Sequence, residues 1–380
     1  MKKILVINTL YKEKGGEDTN IIDEVEFLNR FYDVKYIEYN NREKLNIFDF
    51  LSFLTNSNYK SNRVLSKALD EFSPDIAYVH NTWFKANLGI FKILNKRKVK
   101  TYIKVHNFRY YCTNFFKIKN HIKEGKFCFK CNLHLDERRF NKYYENSFIK
   151  SFFGIIYGKR YFSLIKNSKI NLIVMTDFHK KYLESLGFDS NKINVYRNPI
   201  KNLSENKYNQ DSEYIVYAGR ISQDKGIEEL IKAWIESGIE NLSLKIIGQG
   251  PLLLELSKKY KYPSIEFLGP QTHETTLEII RESRGVVTAT KMYEGQPRLL
   301  CEASICGIPS LFPDFGGMGE FFPNDYKLKF NQFDYVDLAD KLKIFEEKAL
   351  LVQINKNLKL HINNMLSEKT MKESFEELLH

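Results

Sequence analysis

Two carboxylates eight positions apart mark the segment of this sequence that is best suited to chemistry. Glu294 precedes a Gly-x-Pro turn, and Glu302 falls about one turn inside the helix that we predict after it. A helix N-terminus presents backbone N–H groups that suit a phosphate, and we expect carboxylates to bind the vicinal hydroxyls of sugars. Glutamate is also favourable near any helix N-terminus. The segment therefore predicts either a sugar-phosphate site or an ordinary capped helix.

Two cations follow an apolar run earlier in the chain. Gly219-Arg220 comes directly after the run, and Lys225-Gly226 precedes an amphipathic segment. Open α/β sheets bind ligands at the carboxyl ends of their parallel strands. Arginine can hold a phosphate through two hydrogen bonds, and lysine adds a point charge. We expect Arg220 and Lys225 to bind a diphosphate without a metal ion; the alternative is two solvated charges on a turn.

Glycine turns give weaker signals. Gly248-Gln249-Gly250 follows an apolar run, but Gly-x-Gly alone is not specific. A dinucleotide-binding enzyme would carry Gly-x-Gly-x-x-Gly after its first strand and an acidic residue about 20 positions later. The first run here leads instead to Gly15-Gly16-Glu17, which argues against a dehydrogenase.

These residues require a scaffold of parallel strands, and the sequence predicts one. Short apolar runs typical of buried parallel strands cover 4–8, 34–39, 76–80, 101–106 and 172–176, then 214–218, 244–247, 265–268, 285–288 and 309–312. Helical patterns separate them at 23–31, 64–72, 178–186, 227–237, 252–259 and 299–305. Such alternation indicates an α/β fold with parallel sheets.

The alternation occurs twice, with a pause at Asn198-Pro199 and the polar stretch 201–212. We therefore predict two Rossmann-like domains facing each other across a cleft. Their expected bounds are 1–199 and 200–364. Residues 365–380 are expected to form a C-terminal helix that packs back on the first domain.

Charge divides the chain in the same place. Residues 1–200 hold 36 Lys and Arg against 20 Asp and Glu, whereas residues 201–380 hold 22 against 27, and the whole chain carries +11. The basic half is expected to face an anionic partner, which could be a membrane surface, a phosphorylated acceptor or nucleic acid. Five cysteines spread over 380 residues are not typical of a secreted disulfide scaffold. With no secretory leader and no apolar run of about 18 residues, we expect a complete, cytoplasmic protein.

One basic segment, 141–166, alternates aromatic residues with lysine and arginine. Phe152, Phe153, Tyr157 and Phe162 could form the apolar face of a helix lying in a membrane interface, with basic neighbours Lys150, Lys159, Arg160 and Lys166. The alternative is a core helix with a solvated basic edge. The first possibility predicts peripheral binding to the inner face of the cell membrane.

Taken together, the motifs resemble family four of the retaining glycosyltransferases, which have the GT-B fold. The resemblance extends over nearly the whole chain, in family order. Its pieces are Gly15-Gly16-Glu17, Pro74-Asp75, the strand ending at His106-Asn107, Asn198-Pro199, Gly219-Arg220 with Lys225-Gly226, Gly248-x-Gly250-Pro251, Glu294 with Glu302, and Gly316-Gly317. Each piece is weak, but the ordered set is specific.

The resemblance implies roles for individual residues. Arg220 and Lys225 would hold the nucleotide diphosphate, Glu294 would contact donor-sugar hydroxyls, and Glu302 would bind the ribose. His106 would contact the transferred sugar at the reacting centre. The remaining implied donor contacts come from backbone groups: Gly15, Gly16, Gly250, Gln296, Arg298 and Leu299. His80 matches less specifically, and a core histidine is an equal alternative there.

A narrower resemblance, to a bacterial surface-polysaccharide branch, rests on the segment from His106 to Cys112 and on the Cys128-x-x-Cys131 pair. Members of that branch often carry a further cysteine, which is missing here. Cys112, Cys128, Cys131 and His134 could form a structural zinc site, since their ligand types fit one. Free thiols are the alternative.

The resulting expectation is a retaining glycosyltransferase, of the hexosyltransferase class, that needs no cofactor. It would move a sugar from a UDP or GDP donor to a glycan or lipid-linked glycan in surface-polysaccharide synthesis. A nucleotide-sugar epimerase of the same fold is the nearest alternative. A non-enzymatic binder of anionic surfaces or nucleic acid would leave Arg220, Glu294 and Glu302 unexplained, and no nucleic-acid module is recognised.

Overall fold

A computed structural model describes residues 1–10, 16–41, 52, 54–108, 148–201 and 208–379 of the chain. The chain divides into two compact units. The first comprises Met1–Ile200 with Glu377–His380, and the second comprises Lys201–Glu376. Each unit contains a six-stranded sheet whose strand pairs are all parallel. The predicted α/β class with parallel sheets is therefore confirmed.

The first unit has the strand order β2-β1-β3-β4-β5-β6. Its strands are β1 Lys3–Leu10, β2 Asp33–Asn40, β3 Ile76–Val79, β4 Lys100–Lys104, β5 Asn171–Val174 and β6 Ile193–Val195. Its helices within the described ranges are α1 Gly16–Leu28, α2 Tyr59–Phe72, α3 Gly89–Lys96, α4 Phe148–Asn167 and α5 Asp177–Ser185. Strand β1, which pairs with β2 and β3, is fully buried from Ile4 to Ile7, as expected of a parallel sheet covered on both faces.

The second unit has the strand order β12-β11-β10-β7-β8-β9. Its strands are β7 Tyr214–Ala218, β8 Ser243–Ile247, β9 Ile265–Gly269, β10 Gly285–Val287, β11 Ser310–Pro313 and β12 Lys329–Phe330. Its helices are α6 Ile227–Ser237, α7 Leu253–Lys259, α8 His273–Arg281, α9 Arg298–Ile305, α10 Tyr335–Lys343 and α11 Lys348–Leu366. The buried face of α6, which includes Leu230, Ile231 and Trp234, follows helical spacing.

The last helix, α12 (Glu368–Leu379), ends against strand β4 of the first unit. The Tyr102 hydroxyl donates a hydrogen bond to the carbonyl of Leu378 at 2.5 Å, and Lys100 Nζ donates to the carbonyl of Leu379 at 3.3 Å. These bonds engage two carbonyls in the last turn of α12, where a helix lacks intrahelical donors.

Candidate functional site

The loop after β7 carries both predicted phosphate-binding cations. Arg220 Nη2 lies 2.7 Å from Asp224 Oδ2, and the arginine side chain is 58% exposed while that of Asp224 is 10% exposed. Burial acts to raise the pKa of the Asp224 carboxyl, but nearby charges, including those of Arg220 and Lys225, help keep it below its ordinary value. Asp224 is therefore an ionised anchor that orients the exposed guanidinium. No sequence motif pointed to Asp224.

Lys225 and Glu294 meet although they are far apart in sequence. Lys225 Nζ donates to Glu294 Oε1, and the Thr290 hydroxyl donates to the same oxygen at 3.2 Å. Gly226 makes this contact possible, because a Cβ atom there would lie 2.0 Å from the carbonyl oxygen of Ala289. Lys225, predicted to bind the diphosphate, and Glu294, predicted to bind the sugar, thus form one charged cluster after the ends of β7 and β10.

The glycine turn after β8 packs directly against the Arg220 loop. Gly248 has a φ of +139°, and a Cβ atom there would lie 1.9 Å from the Gly219 carbonyl oxygen. At Gly250 a Cβ atom would lie 2.2 Å from the carbonyl oxygen of Ile221. Only glycine permits this approach, so the Gly248–Gly250 turn supports the backbone that presents Arg220.

Glu302 is almost completely buried, at 1% exposure, on α9. Its Oε1 atom accepts a hydrogen bond from Arg298 Nε at 2.7 Å and lies 3.1 Å from His273 Nε2. Its Oε2 atom has no hydrogen-bond partner among the residues that the structure describes. Because a buried carboxylate oxygen is costly to leave unpaired, Oε2 is a strong candidate to accept from a ligand hydroxyl. His273 had no signal in the sequence, since it lies far from the motif.

The start of α9 presents the backbone groups expected to lie near sugar and phosphate. Pro297 precedes the helix, and its carbonyl accepts the first helical hydrogen bond, from Cys301 N at 3.0 Å. The amides of Arg298 and Leu299 precede that bond in the first turn, where helical N–H groups have no helical acceptor. Gln296 is buried beside them, at 9% exposure.

In the first unit, His106 follows β4 and contacts His80, which follows β3. His80 Nδ1 lies 2.9 Å from His106 Nε2, and the two rings stack with centroids 5.2 Å apart. Burial lowers the pKa of both imidazoles well below the ordinary value, and the nearby charge of Lys104 lowers both further. His106 is therefore neutral at physiological pH, and His80 belongs to its immediate surroundings.

A buried ion pair lies close to the two histidines. Lys104 Nζ donates to both carboxylate oxygens of Glu24, at 2.8 and 2.9 Å, and neither side chain is exposed. The Tyr78 hydroxyl donates to Glu24 Oε1 at 2.7 Å. Because Glu24 lies on α1 and Lys104 on β4, the pair ties the helix that begins at Gly16 to the strand that leads to His106.

Some predicted site residues fall outside the described ranges. Gly15 does, whereas Gly16 is the first residue of α1. The predicted zinc ligands also lie outside them: Cys112, Cys128, Cys131 and His134. Among described residues, no group of three or more His, Cys, Asp and Glu could hold a metal ion. Cys301 and Cys306 are buried free thiols.

Part of the predicted membrane-binding face of helix α4 is wrong, because several of its aromatic rings pack inside the first unit. Tyr157 is buried in the core of the first unit, and Phe153 and Phe162 pack against that core, so these three rings are not available for insertion. Phe152 is exposed, at 48%. Arg160 Nη1 donates to Asn56 Oδ1 at 2.9 Å, and Lys166 Nζ donates to the Leu186 carbonyl at 2.7 Å. No described helix is both long and apolar enough to span a bilayer.

The second unit is similar to a known protein family. Residues 200–362 match the family model described as Glycosyl transferases group 1. This segment is therefore similar to the group 1 glycosyl transferases. The match agrees with the family resemblance that the sequence motifs indicated, and the matched segment contains Arg220, Lys225, Glu294 and Glu302.

A curated relative is the amylovoran biosynthesis glycosyltransferase AmsD of Erwinia amylovora. It is 29% identical over 151 residues, which are 37% of this chain and 42% of that protein. The chain thus matches less than half the length of this relative.

Two solved structures resemble the chain over its whole length. HepE of Anabaena, solved in complex with UDP and glucose, has a TM-score of 0.70 at 15% identity and covers 100% of this chain and 99% of HepE. Sucrose-phosphate synthase of Thermosynechococcus elongatus has a TM-score of 0.71 at 14% identity, with 100% and 98% covered. At such identities the likeness shows the GT-B fold alone, which confirms that prediction.

Proposed function

We propose that this protein is a glycosyltransferase that moves a sugar from a nucleotide diphosphate donor to a glycan or lipid-linked glycan acceptor. The observation that carries the proposal is the two ion pairs Arg220–Asp224 and Lys225–Glu294, which follow the strands of the segment that matches the group 1 glycosyl transferase model. Parallel α/β sheets bind ligands at this edge. The likeness to a bacterial amylovoran biosynthesis glycosyltransferase supports a role in surface-polysaccharide synthesis.

The donor diphosphate would bind both cations, and it would displace a carboxylate partner only at Lys225. Arg220 contacts Asp224, and its side chain is 58% exposed, so it can hydrogen-bond phosphate oxygens without losing its anchor. Lys225 would exchange its contact with Glu294 for a phosphate oxygen. Glu294 would then be available to accept hydrogen bonds from donor-sugar hydroxyls.

Glu302 would bind the ribose of the nucleotide. Arg298 and His273 both contact Oε1, so Oε2 is the oxygen that would accept from a ribose hydroxyl. The amides of Arg298 and Leu299 would add donors near the phosphate, where a helix N-terminus favours negative charge. UDP is the first donor to test, because UDP-bound HepE shares the fold; GDP is the second.

Transfer would be driven mainly by stabilisation of the leaving diphosphate. Negative charge develops on that group as the glycosidic bond to the donor breaks, and preset cations stabilise it without reorganising. His106, from the first unit, would contact the transferred sugar. Retention of configuration follows from the family resemblance, which implies front-face attack with the leaving phosphate assisting removal of the acceptor proton.

Donor turnover with and without acceptor tests this function. The protein is incubated with UDP- and GDP-sugars, in EDTA, with and without lipid-linked glycan extracts. We expect sugar transfer only with acceptor present, and undiminished activity in EDTA because Arg220 and Lys225 supply the charge. Conversion of the donor without acceptor would favour an epimerase. Activity lost in EDTA and restored by magnesium or manganese would contradict the proposed metal-free chemistry.

A further inference from the structure

The contact between His80 and His106 restricts the protonation of both rings. Their close nitrogens, His80 Nδ1 and His106 Nε2, are 2.9 Å apart, so one must donate and the other accept. Neither ring carries a positive charge at neutral pH, because desolvation and the nearby charge of the Lys104 ammonium lower the pKa of both. Each imidazole therefore holds one proton, and fixing one tautomer fixes the other.

The second nitrogen of His80 decides the direction of this hydrogen bond. His80 is 4% exposed, and its Nε2 atom has no hydrogen-bond partner among the described residues. If His106 donated, His80 would carry its proton on Nε2, as a buried donor without an acceptor. If His80 donates from Nδ1, its Nε2 is a bare acceptor. Orphaned buried N–H groups are rarer in proteins than under-satisfied acceptors, so the second arrangement is favoured.

We propose that His80 is a positioning residue that donates from Nδ1 to His106 Nε2 and thereby holds His106 with its proton on Nδ1. His106 then faces a ligand as a hydrogen-bond donor, through Nδ1–H, and its basic nitrogen is occupied. In the transfer reaction it would bind a sugar oxygen and would not remove the acceptor proton. This role in transfer rests on the proposed function, whereas the tautomer of the pair does not.

The rest of the site supports a fixed ring orientation. The amide of His80 donates to the Ile7 carbonyl at 2.9 Å, which fixes the backbone at the end of β3. The amide of Val105, next to His106, donates to the Ile173 carbonyl at 2.8 Å. With both backbones held by neighbouring strands, the ring contact sets which imidazole nitrogen of His106 is presented to a ligand.

Nitrogen NMR of histidine-labelled protein tests the tautomer directly. The signals of His106 and His80 are assigned by their loss in H106Q and H80N. We expect wild-type His106 to carry its proton on Nδ1, with an unprotonated Nε2. The spectra are recorded at about pH 7.5, close to neutral. The proposal is overturned if His106 carries its proton on Nε2 or is doubly protonated, whether or not the protein transfers sugar.

Two nearly isosteric variants test the consequence for activity. His80→Asn keeps an N–H donor near the position of Nδ1, whereas His80→Asp offers only acceptors and would force the His106 proton onto Nε2. We expect H80N to keep kcat within about threefold and H80D to lose about tenfold or more, with the donor KM changed less than about twofold in both.

The histidine variant His361→Gln, on α11, is the matched control for removing an imidazole elsewhere. Equal kcat in H80N and H80D, with His106 protonated on Nδ1 in both, would contradict the positioning role. If no variant or wild-type protein transfers sugar, the proposed function fails while the tautomer result stands independently.

Discussion

At the scale of single residues, the two glutamates of the second unit have different surroundings. Substituting each of them should therefore change a different kinetic constant. Glu294 shares a cluster with Lys225 and Thr290, whereas Glu302 is buried with one oxygen held by Arg298. Glu294→Gln should mainly lower kcat, because this residue would contact the reacting sugar. Glu302→Gln should mainly raise the donor KM, because it would contact the ribose. Steady-state kinetics measure both, and the reverse pattern would exchange the two roles.

Buried histidines should make stability depend on pH. Burial lowers the pKa of His179 to about 3, and it also lowers those of His80 and His106. The unfolded chain binds protons near its ordinary histidine pKa, about 6.5, while the folded chain does not. The free energy of unfolding should therefore be highest above that pH and fall as the pH drops from about 6.5 towards 3.

Urea unfolding at several pH values measures this dependence. The variant His179→Phe removes one titrating group and keeps a ring against Phe108, whose centroid lies 4.0 Å from that of His179. Between pH 6 and 4, the free energy of unfolding of this variant should change less steeply with pH than that of the wild-type protein. The difference in slope should be up to about 1.4 kcal/mol per pH unit, the value for one proton. An unchanged slope would mean that His179 is protonated in the folded chain.

At the scale of elements, glycine turns determine how the site loops pack. Gly248→Ala would place a methyl group within 1.9 Å of the Gly219 carbonyl oxygen. We expect a loss of about 2–4 kcal/mol in the free energy of unfolding, from backbone strain and overpacking. Donor binding should weaken as well, because the Arg220 loop must move.

The matched control is Gly238→Ala. Gly238 also has a positive φ, +67°, but among the described residues that do not adjoin it in the chain no atom lies within 4 Å of the added Cβ. Gly238→Ala should lower the free energy of unfolding only by the conformational strain, about 1–2 kcal/mol, and leave donor affinity unchanged. Equal effects of the two substitutions on donor affinity would contradict the packing account of the Gly248 turn.

Elements with strong patterns could be predicted from the sequence, and short ones could not. β7 and α6 have the predicted bounds, Tyr214–Ala218 and Ile227–Ser237. β6 and β12, with three and two residues, are too short to show a run and exist because neighbouring strands supply partners. Helix α11 was missed, although its buried leucines and isoleucines recur every three or four residues.

The types of site residue could be predicted, but their contacts could not. The motif identified Lys225 and Glu294, yet their contact spans 69 positions and depends on how Gly226 packs against Ala289. His273 reaches Glu302 only because α8 lies beside α9, and no local pattern encodes that neighbour.

At the scale of the whole molecule, charge separates the two halves of the chain. Residues 1–200 carry a net +16 by count and residues 201–380 a net −5. Anionic lipids attract each well-placed lysine or arginine by roughly 1 kcal/mol. We predict salt-sensitive sedimentation with anionic vesicles and little with neutral ones. Because Tyr157 is buried, charge should dominate over aromatic insertion.

Two exposed residues of α4 provide variants for this experiment. Lys159→Glu should weaken vesicle binding more than Phe152→Ser, since the first reverses a charge and the second removes one exposed ring. If the wild-type protein sediments with neither kind of vesicle at low salt, the membrane prediction is wrong. A soluble acceptor would then be favoured.

In the proposed function, Arg220 and Lys225 bind the diphosphate of a nucleotide sugar. Titration calorimetry with UDP- and GDP-sugars tests it most directly, using wild-type protein, Arg220→Ala and Lys225→Ala, with Lys232→Ala on exposed α6 surface as the control. Loss of a charge-assisted hydrogen bond of about 1.5–3 kcal/mol predicts at least about tenfold weaker binding in the two site variants and unchanged binding in the control. Wild-type affinity in both site variants, or no binding of either donor class by wild-type protein, would contradict the account.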